Sequence, residues 1–317
     1  MKTLSIDNSV VSLKNTYVET LASMMREDSR VLHLDADMRE AIGTSSLVSE
    51  FPDRIIDVGV MEANMIGIAA GLSILGKIPF VHSFGVFTTR RCADQVFLAG
   101  SYNKANVKIL GTDPGIAAEH NGGTHMPLED IGILRSIPDI RIFDIADPVL
   151  LEDIVRQEKD HYGMAYIRFP RTNTPKYYDR GNKFEIGKGN LLRTGSDVTI
   201  VASGMTVVNA LEAADRLSAQ GIEADVIDMF TIKPIDEALL CERLAVTGAA
   251  VCVENHNVIG GLGSAVAEVI AEKAPAKLVR LGSHEKFGEV GTKAYLAELF
   301  GITTDDIVRE CKRLTKG

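Results

Sequence analysis

Glu62 is the one carboxylate in the run from Val58 to Leu75, which otherwise holds only uncharged residues rich in Gly, Ala, Ile and Met. A carboxylate in such a run must be exposed, paired or hydrogen-bonded, because burying an unpaired charge is very costly. One reading is a helix N-terminal acid, favoured by the helix dipole. The residues that follow support a second reading. A short apolar strand from Ile78 to Val81 leads into HSFGVFTTR, which sets Phe84 and Phe87 on a tight, glycine-containing turn. An acid and two aromatics at the ends of adjacent strands make a pocket for a flat, nitrogen-bearing ring. Asp35 and Asp37 close another strand, where ligand sites of open α/β sheets form. A helix cap or turn would use the same residues.

These groups need a scaffold, and the hydrophobic pattern describes one. A helix from Asn15 to Met25 is followed by the strands VLHLDAD and RIIDVGV, a helix from Met61 to Leu75, and the strand IPFVHSF. A longer helix from Thr88 to Tyr102 precedes the strand VKILGT. The strands RIFDIAD and MAYIRFP follow, separated by a helix from Pro148 to Gln157. The stretch RTNTPKYYDRGNKFEIGKGNLL is polar, rich in turn residues and without period, and reads as a link. The pattern then restarts, from DVTIVASG to a last helix spanning Thr303 to Leu314. Short strands alternating with helices predict an α/β protein of two domains, residues 1–175 and 190–317, each a mostly parallel sheet flanked by helices.

Composition bounds the function. With 317 residues, 45% hydrophobic and 24% charged, the chain is that of a soluble globular protein long enough for two domains. A net charge of −9 argues against nucleic acid or an anionic membrane as partner. No apolar run is long enough for a bilayer, and MKTLSIDNSVVSLKN lacks a signal-peptide core, so the expected location is cytoplasmic. Cys92, Cys241, Cys252 and Cys311 are widely spaced with no CxxC pair. They read as reduced thiols, and no metal site is expected.

The order Glu62, Asn64, Met65, then Phe84, Phe87, Thr89, Arg90, Asp94 and Gln95 resembles the pyrimidine-binding domain of thiamine diphosphate enzymes of the transketolase family. The likeness continues through TDPGIAAEHNGGTHMPLEDIGILRSIP, YIRFPR, DVIDMFTIKPID and VCVENHNVIGGLGSAVAE, nearly the whole chain. It implies thiamine diphosphate as cofactor, which carries the hard organic chemistry while the protein orients it. Glu62 would hydrogen-bond the aminopyrimidine ring nitrogen and drive its tautomeric shift. Phe84 and Phe87 would hold that ring by stacking and edge contact, with Asp37 near the thiazolium and Arg90 on the same turn.

The resemblance places His125 at the substrate's reacting end, where an imidazole can donate a hydrogen bond or move a proton near neutral pH. His120 and Asn121 fall in the same substrate loop. The family usually has an acid at His120, and an Asp that reads a substrate hydroxyl at Asn121. Arg171, in RFPR, matches a phosphate-binding arginine. Asp113 stands where a phosphate-binding His is frequent, and Ala41 where a Ser is usual. An acid there repels a phosphate, so the expected substrate is a sugar or sugar-like compound, phosphorylated or not. The glycines of ENHNVIGGLGSA match a dinucleotide fingerprint poorly and read as a packing and interface element.

Full-length transketolases also carry a domain that binds the diphosphate through Mg²⁺, marked by Gly-Asp-Gly, and no GDG occurs here. The resemblance therefore implies the C-terminal subunit of a split transketolase. It would transfer a two-carbon ketol unit from a ketose to an aldose, alongside an N-terminal subunit that holds most of the Mg²⁺ contacts. A heterotetramer with two copies of each subunit is expected. The competing readings are the β subunit of a 2-oxoacid dehydrogenase E1 component, a deoxyxylulose-phosphate synthase fragment and a non-catalytic structural subunit.

Overall fold

Ser12 ends β1 (Asp7–Ser12), and its side chain accepts the Asn15 N–H, so α1 (Leu13–Glu27) starts there. The computed structural model describes residues 7–315. They pack into two units, one of residues 7–114 with 133–184, the other of residues 115–132 with 185–315.

In the first unit β2 (Val31–Asp35), α2 (Arg39–Ile42), β3 (Ile55–Asp57), α3 (Glu62–Ile74) and β4 (Ile78–Phe84) follow α1. The short helices α4 (Gly85–Thr88) and α5 (Ala93–Gln95) precede β5 (Lys108–Thr112). After α6 (Asp130–Arg135) come β6 (Arg141–Asp144), α7 (Pro148–Asp160), β7 (Ala165–Phe169) and β8 (Asn173–Lys176). Six strands of this unit run parallel in the order β6-β7-β5-β4-β2-β3. β2, β5 and β7 are buried along their whole length, as expected of a sheet covered on both faces. α7 begins at Asp147, whose Oδ1 accepts Val149 N at 2.7 Å and Leu150 N at 3.1 Å, with Pro148 in the first turn.

Two expectations change. The stretch after Phe169, read as a polar link without period, contains β8, which pairs antiparallel with β1. Tyr177, Tyr178 and Phe184 behind it are buried in an aromatic cluster with ring centroids 4.9 and 4.7 Å apart. Asp147 Oδ2 anchors this segment by accepting Tyr177 N at 2.8 Å and Tyr178 N at 3.1 Å. A short strand whose partner lies at the far end of the unit leaves no local periodicity to read.

The single helix expected from Thr88 to Tyr102 is broken. α4 ends at Thr89, a 3₁₀ turn covers Arg90–Cys92, and Val96–Tyr102 is a wide π-helix turn. The Thr89 hydroxyl donates to the Gly85 carbonyl at 2.6 Å, offering the backbone an alternative to the helical ladder. Such irregular turns recur at functional sites.

The second unit contains β9 (Asn190–Arg193), β10 (Val198–Ala202), α8 (Thr206–Ser218), β11 (Ala224–Asp228), β12 (Thr231–Lys233) and α9 (Glu237–Thr247). β13 (Ala249–Asn257), α10 (Leu262–Glu272), β14 (Lys277–Ser283), α11 (Lys293–Phe300) and α12 (Thr304–Thr315) complete it. Its five-stranded sheet has the order β14-β13-β10-β11-β9, parallel except for the edge strand β9. Arg243 grips Asp225 with Nε at 3.0 Å and Nη2 at 2.9 Å, which ties α9 to β11 in the interior.

Candidate active site

In the first sheet β2 lies between β3 and β4, so successive connections leave it to opposite sides. The crevice outside the C-terminal ends of strands at such a switch point is where open α/β sheets bind ligands. Asp35 ends β2, Phe84 ends β4, Thr112 ends β5, and Glu62 opens α3 just after β3. α3 is apolar on most sides and buries Met65, Ile66, Ala69 and Ala70, which draws Glu62 inward to 2% exposure.

The Glu62 carboxylate is not alone. Its Oε2 accepts from Arg91 Nη1 at 2.7 Å, and its Oε1 faces the Ser83 hydroxyl at 3.4 Å. The Arg91 guanidinium lies 3.9 Å from the centroid of the Phe87 ring, a cation–π contact. Phe84 and Phe87 meet edge to face, with centroids 6.2 Å apart at 64°. The acid and both aromatics of the sequence reading therefore lie in one cluster, joined through Arg91. Sequence reasoning named Arg90 and passed over Arg91. The doubled arginine of TTRR was the available signal, and the break in the helix at Thr89 decides which one turns toward Glu62. Arg90 is exposed on the same turn.

Arg171 stands over Phe84, 4.9 Å from its centroid. Its Nε and Nη2 donate to Asp113 Oδ2 at 3.0 and 2.6 Å, and its Nη1 donates to the Ala41 carbonyl at 3.2 Å. Asp113 is buried and adopts φ +56°, a left-handed conformation that Asp tolerates better than most residues. Asp37 is exposed at φ +59°, its N–H donating to Asp57 Oδ1 at 3.0 Å.

Beneath the crevice lies a buried polar row that sequence reasoning did not single out. The Tyr17 hydroxyl and His33 Nδ1 are 2.9 Å apart, and His33 Nε2 lies 3.8 Å from Asp35 Oδ2. His82 bonds Thr112 Oγ1 through Nε2 at 3.0 Å. Burial pushes His33 down to about 3 and His82 well below the usual imidazole value, and raises Asp35 to about 6. The signal in the sequence was a histidine inside each of the apolar strands VLHLD and IPFVHSF.

His120, Asn121 and His125 belong to the other unit. His125 Nδ1 is 2.9 Å from the Thr124 hydroxyl, while His120 and Asn121 are exposed. Their loop is anchored by Asn255, whose Oδ1 accepts Ile116 N at 2.9 Å. Gly115 permits this at φ +47°, since a Cβ there would lie 2.0 Å from that oxygen. Glu119, at φ 42° and ψ −113°, is held by Lys293, with Nζ 3.7 Å from Oε2.

The glycine-rich stretch after β13 holds an anion of its own. Glu254 accepts Leu262 N at 2.7 Å and Gly263 N at 2.8 Å, so an internal carboxylate sits on the N-terminus of α10. A Cβ on Gly261 would lie 1.9 Å from Glu254 Oε2, which accounts for glycine there without a dinucleotide. His256 is buried within this unit and accepts Gly132 N at 3.3 Å. Among the described residues no group of three or more His, Cys, Asp or Glu could hold a metal ion.

Residues 9–176 match the transketolase pyrimidine-binding domain and residues 187–307 the transketolase C-terminal domain. The chain is 46% identical over 304 residues to the 6-deoxy-6-sulfo-D-fructose transketolase subunit SqwH of Clostridium sp. strain MSTE9, covering 96% of this chain and 94% of that protein. It is 32% identical over 294 residues to an apulose-4-phosphate transketolase subunit of Phocaeicola vulgatus, covering 90% and 94%. A solved structure described as a split gene transketolase, inactive beta4 tetramer, superposes with a TM-score of 0.90 at 39% identity, over 96% of this chain and 99% of that one. The chain belongs to the transketolase family, as a split-transketolase subunit composed of the pyrimidine-binding and C-terminal domains.

Proposed function

We propose that this subunit, paired with a subunit carrying the diphosphate-binding domain, transfers a two-carbon ketol unit from a ketose to an aldose with thiamine diphosphate as cofactor. The observation that carries the reading is the buried Glu62 carboxylate next to the edge-to-face pair Phe84 and Phe87. This donor set fits an aminopyrimidine: one carboxylate for a ring nitrogen and two aromatic surfaces for the ring. The cofactor, when bound, supplies a stabilised carbanion equivalent.

Glu62 would hold the ring nitrogen through its Oε1 edge and share a proton with it, while Arg91 keeps hold of Oε2. Phe84 and Phe87 would hold the pyrimidine ring by stacking and edge contact, with Asp37 near the thiazolium and Arg90 on the same turn as Phe87. His125 holds or moves a proton at the substrate's reacting end. Arg171, Asp113, His120 and Asn121 contact the sugar. Mg²⁺ is held mainly by the partner subunit.

The assembly we propose is a heterotetramer with two copies of each subunit, in the cytoplasm. Exposed apolar residues at the ends of α3 (Val60, Met61, Ile74, Leu75) and on the adjacent turn (Phe97, Leu98) favour a chain that is covered by another. The 39% identical structure, an inactive tetramer of beta chains, is in keeping with a need for the partner. No helix among the described residues is long and apolar enough to cross a membrane, and the four cysteines are free.

The test is to purify the tagged chain from its native cell, and to determine complex mass, co-purifying chains and bound cofactor together, followed by ketol-transfer assays of that complex. A partner of similar size with thiamine diphosphate and Mg²⁺ is the expected result. A large assembly containing a lipoyl protein would replace the reading with a 2-oxoacid dehydrogenase subunit.

A further inference from the structure

We infer that Asp113 sets the substrate class of this site: a donor sugar whose far end carries at most one negative charge, a sulfonate or a hydroxyl, in preference to a phosphate dianion. The inference rests on the ketol-transfer reading and on Arg171 facing the far end of the donor.

Arg171 is partly exposed, with 23% of its side chain accessible, and its guanidinium lies over the Phe84 ring. An arginine in that place would take a dianion through its paired N–H edge. That edge is already occupied. Nε and Nη2 both donate to Asp113 Oδ2, at 3.0 and 2.6 Å, and the Arg171 backbone N–H donates to Oδ1 at 3.2 Å. Asp113 is 3% exposed, so its carboxylate has no route out to water when an anion arrives. Its left-handed backbone, at φ +56°, persists only because the surroundings hold it.

What remains free is the outer end of the guanidinium, where each terminal nitrogen keeps one further N–H. That end can take two oxygens of a monoanion. The Arg171 charge is already offset by the fixed Asp113 carboxylate, so the second charge of a dianion gains little net attraction there while it costs more desolvation than a monoanion's single charge. A hydroxyl instead accepts from the outer N–H groups of Arg171. Two features point the same way. Ala41, whose carbonyl meets Arg171 Nη1 at 3.2 Å, offers no hydroxyl to a phosphate. The neighbouring strand ends carry Asp35, Asp37 and Asp57, with Arg39 bound to Asp57 at 2.9 Å.

The experiment compares three donors in the assembled complex: fructose with a hydroxyl, a sulfonate or a phosphate at its sixth carbon. The wild-type complex is expected to favour the sulfonate over the phosphate by about tenfold or more in kcat/KM, mainly through KM. Asp113→Asn, which tolerates the same backbone, narrows that ratio by about tenfold. Ala41→Ser shifts it in the same direction. Wild-type preference for the phosphate, or a ratio unchanged by both variants, overturns the inference.

If no donor is turned over, ketol transfer itself falls. The selectivity is then read on the full chain by titrating methanesulfonate and methyl phosphate at pH 8. Asp113→Asn gaining about tenfold for methyl phosphate supports the role of Asp113. Equal methyl phosphate affinity in wild type and variant overturns it.

Discussion

Glu62 Oε2 and Arg91 Nη1 form an ion pair at 2.7 Å between a buried carboxylate and a guanidinium that is 45% exposed. The same guanidinium covers Phe87, so one side chain orients both the acid and one of the two aromatics. Arg91→Lys keeps the charge and loses the planar stacking. The expected outcome is cofactor affinity in the complex weakened about tenfold by Arg91→Ala and less by Arg91→Lys, measured by titration with thiamine diphosphate. Equal affinity in all three proteins would show that Glu62 is held without Arg91.

Glu62 itself carries the proposed proton sharing. Glu62→Ala is expected to lower ketol transfer by about a hundredfold or more, with the thermal midpoint of the chain preserved or raised. The midpoint separates a chemical role from a structural one, because Arg91, 45% exposed, turns to water when Glu62 is removed and no unpaired charge is left buried.

The buried row Tyr17–His33–Asp35 predicts an acid-side stability profile. His33 is held at about 3 and His82 well below its ordinary value. Between those values and about 6.5 the unfolded chain binds the protons, and stability falls as pH drops. Asp35, raised to about 6, acts in the opposite sense between about 6 and 4, where the folded chain binds the proton. Asp35→Asn therefore steepens the loss of stability between pH 6 and 4, read by urea denaturation across that range. An unchanged slope would remove Asp35 from the balance.

The hydrogen bond between Tyr17 and His33, fully buried, predicts its own cost. Tyr17→Phe leaves an imidazole nitrogen unpaired and is expected to destabilise the first unit by about 1–3 kcal/mol. Denaturant midpoints at constant slope would measure it.

Gly115 and Asn255 govern the loop that bears His125. Gly115→Ala places a Cβ 2.0 Å from Asn255 Oδ1 on a backbone at φ +47°. The loop must shift, at a cost of about 1–3 kcal/mol. Turnover is expected to fall while thiamine diphosphate affinity in the complex stays within about twofold. Loss of affinity to the same degree as turnover would place the loop at the cofactor instead of the substrate.

The sequence by itself determined the two α/β halves, since apolar strands and amphipathic helices are written in local periodicity. It also made Glu62, Phe84 and Phe87 legible as a group, because an acid stranded in an apolar run and aromatics on a tight turn can be read one residue at a time, and the fold brings the three together. What tertiary structure decided is pairing. Whether Arg90 or Arg91 meets Glu62 depends on the break at Thr89. Whether Arg171 presents its full N–H edge depends on Asp113, 58 residues away in the chain. The row of Tyr17, His33 and His82, and the β1–β8 pair that turned an expected link into packed structure, likewise join segments far apart in sequence. Contacts of this kind leave no periodic trace, because the partner that satisfies a side chain is chosen by the fold and not by its neighbours in the chain.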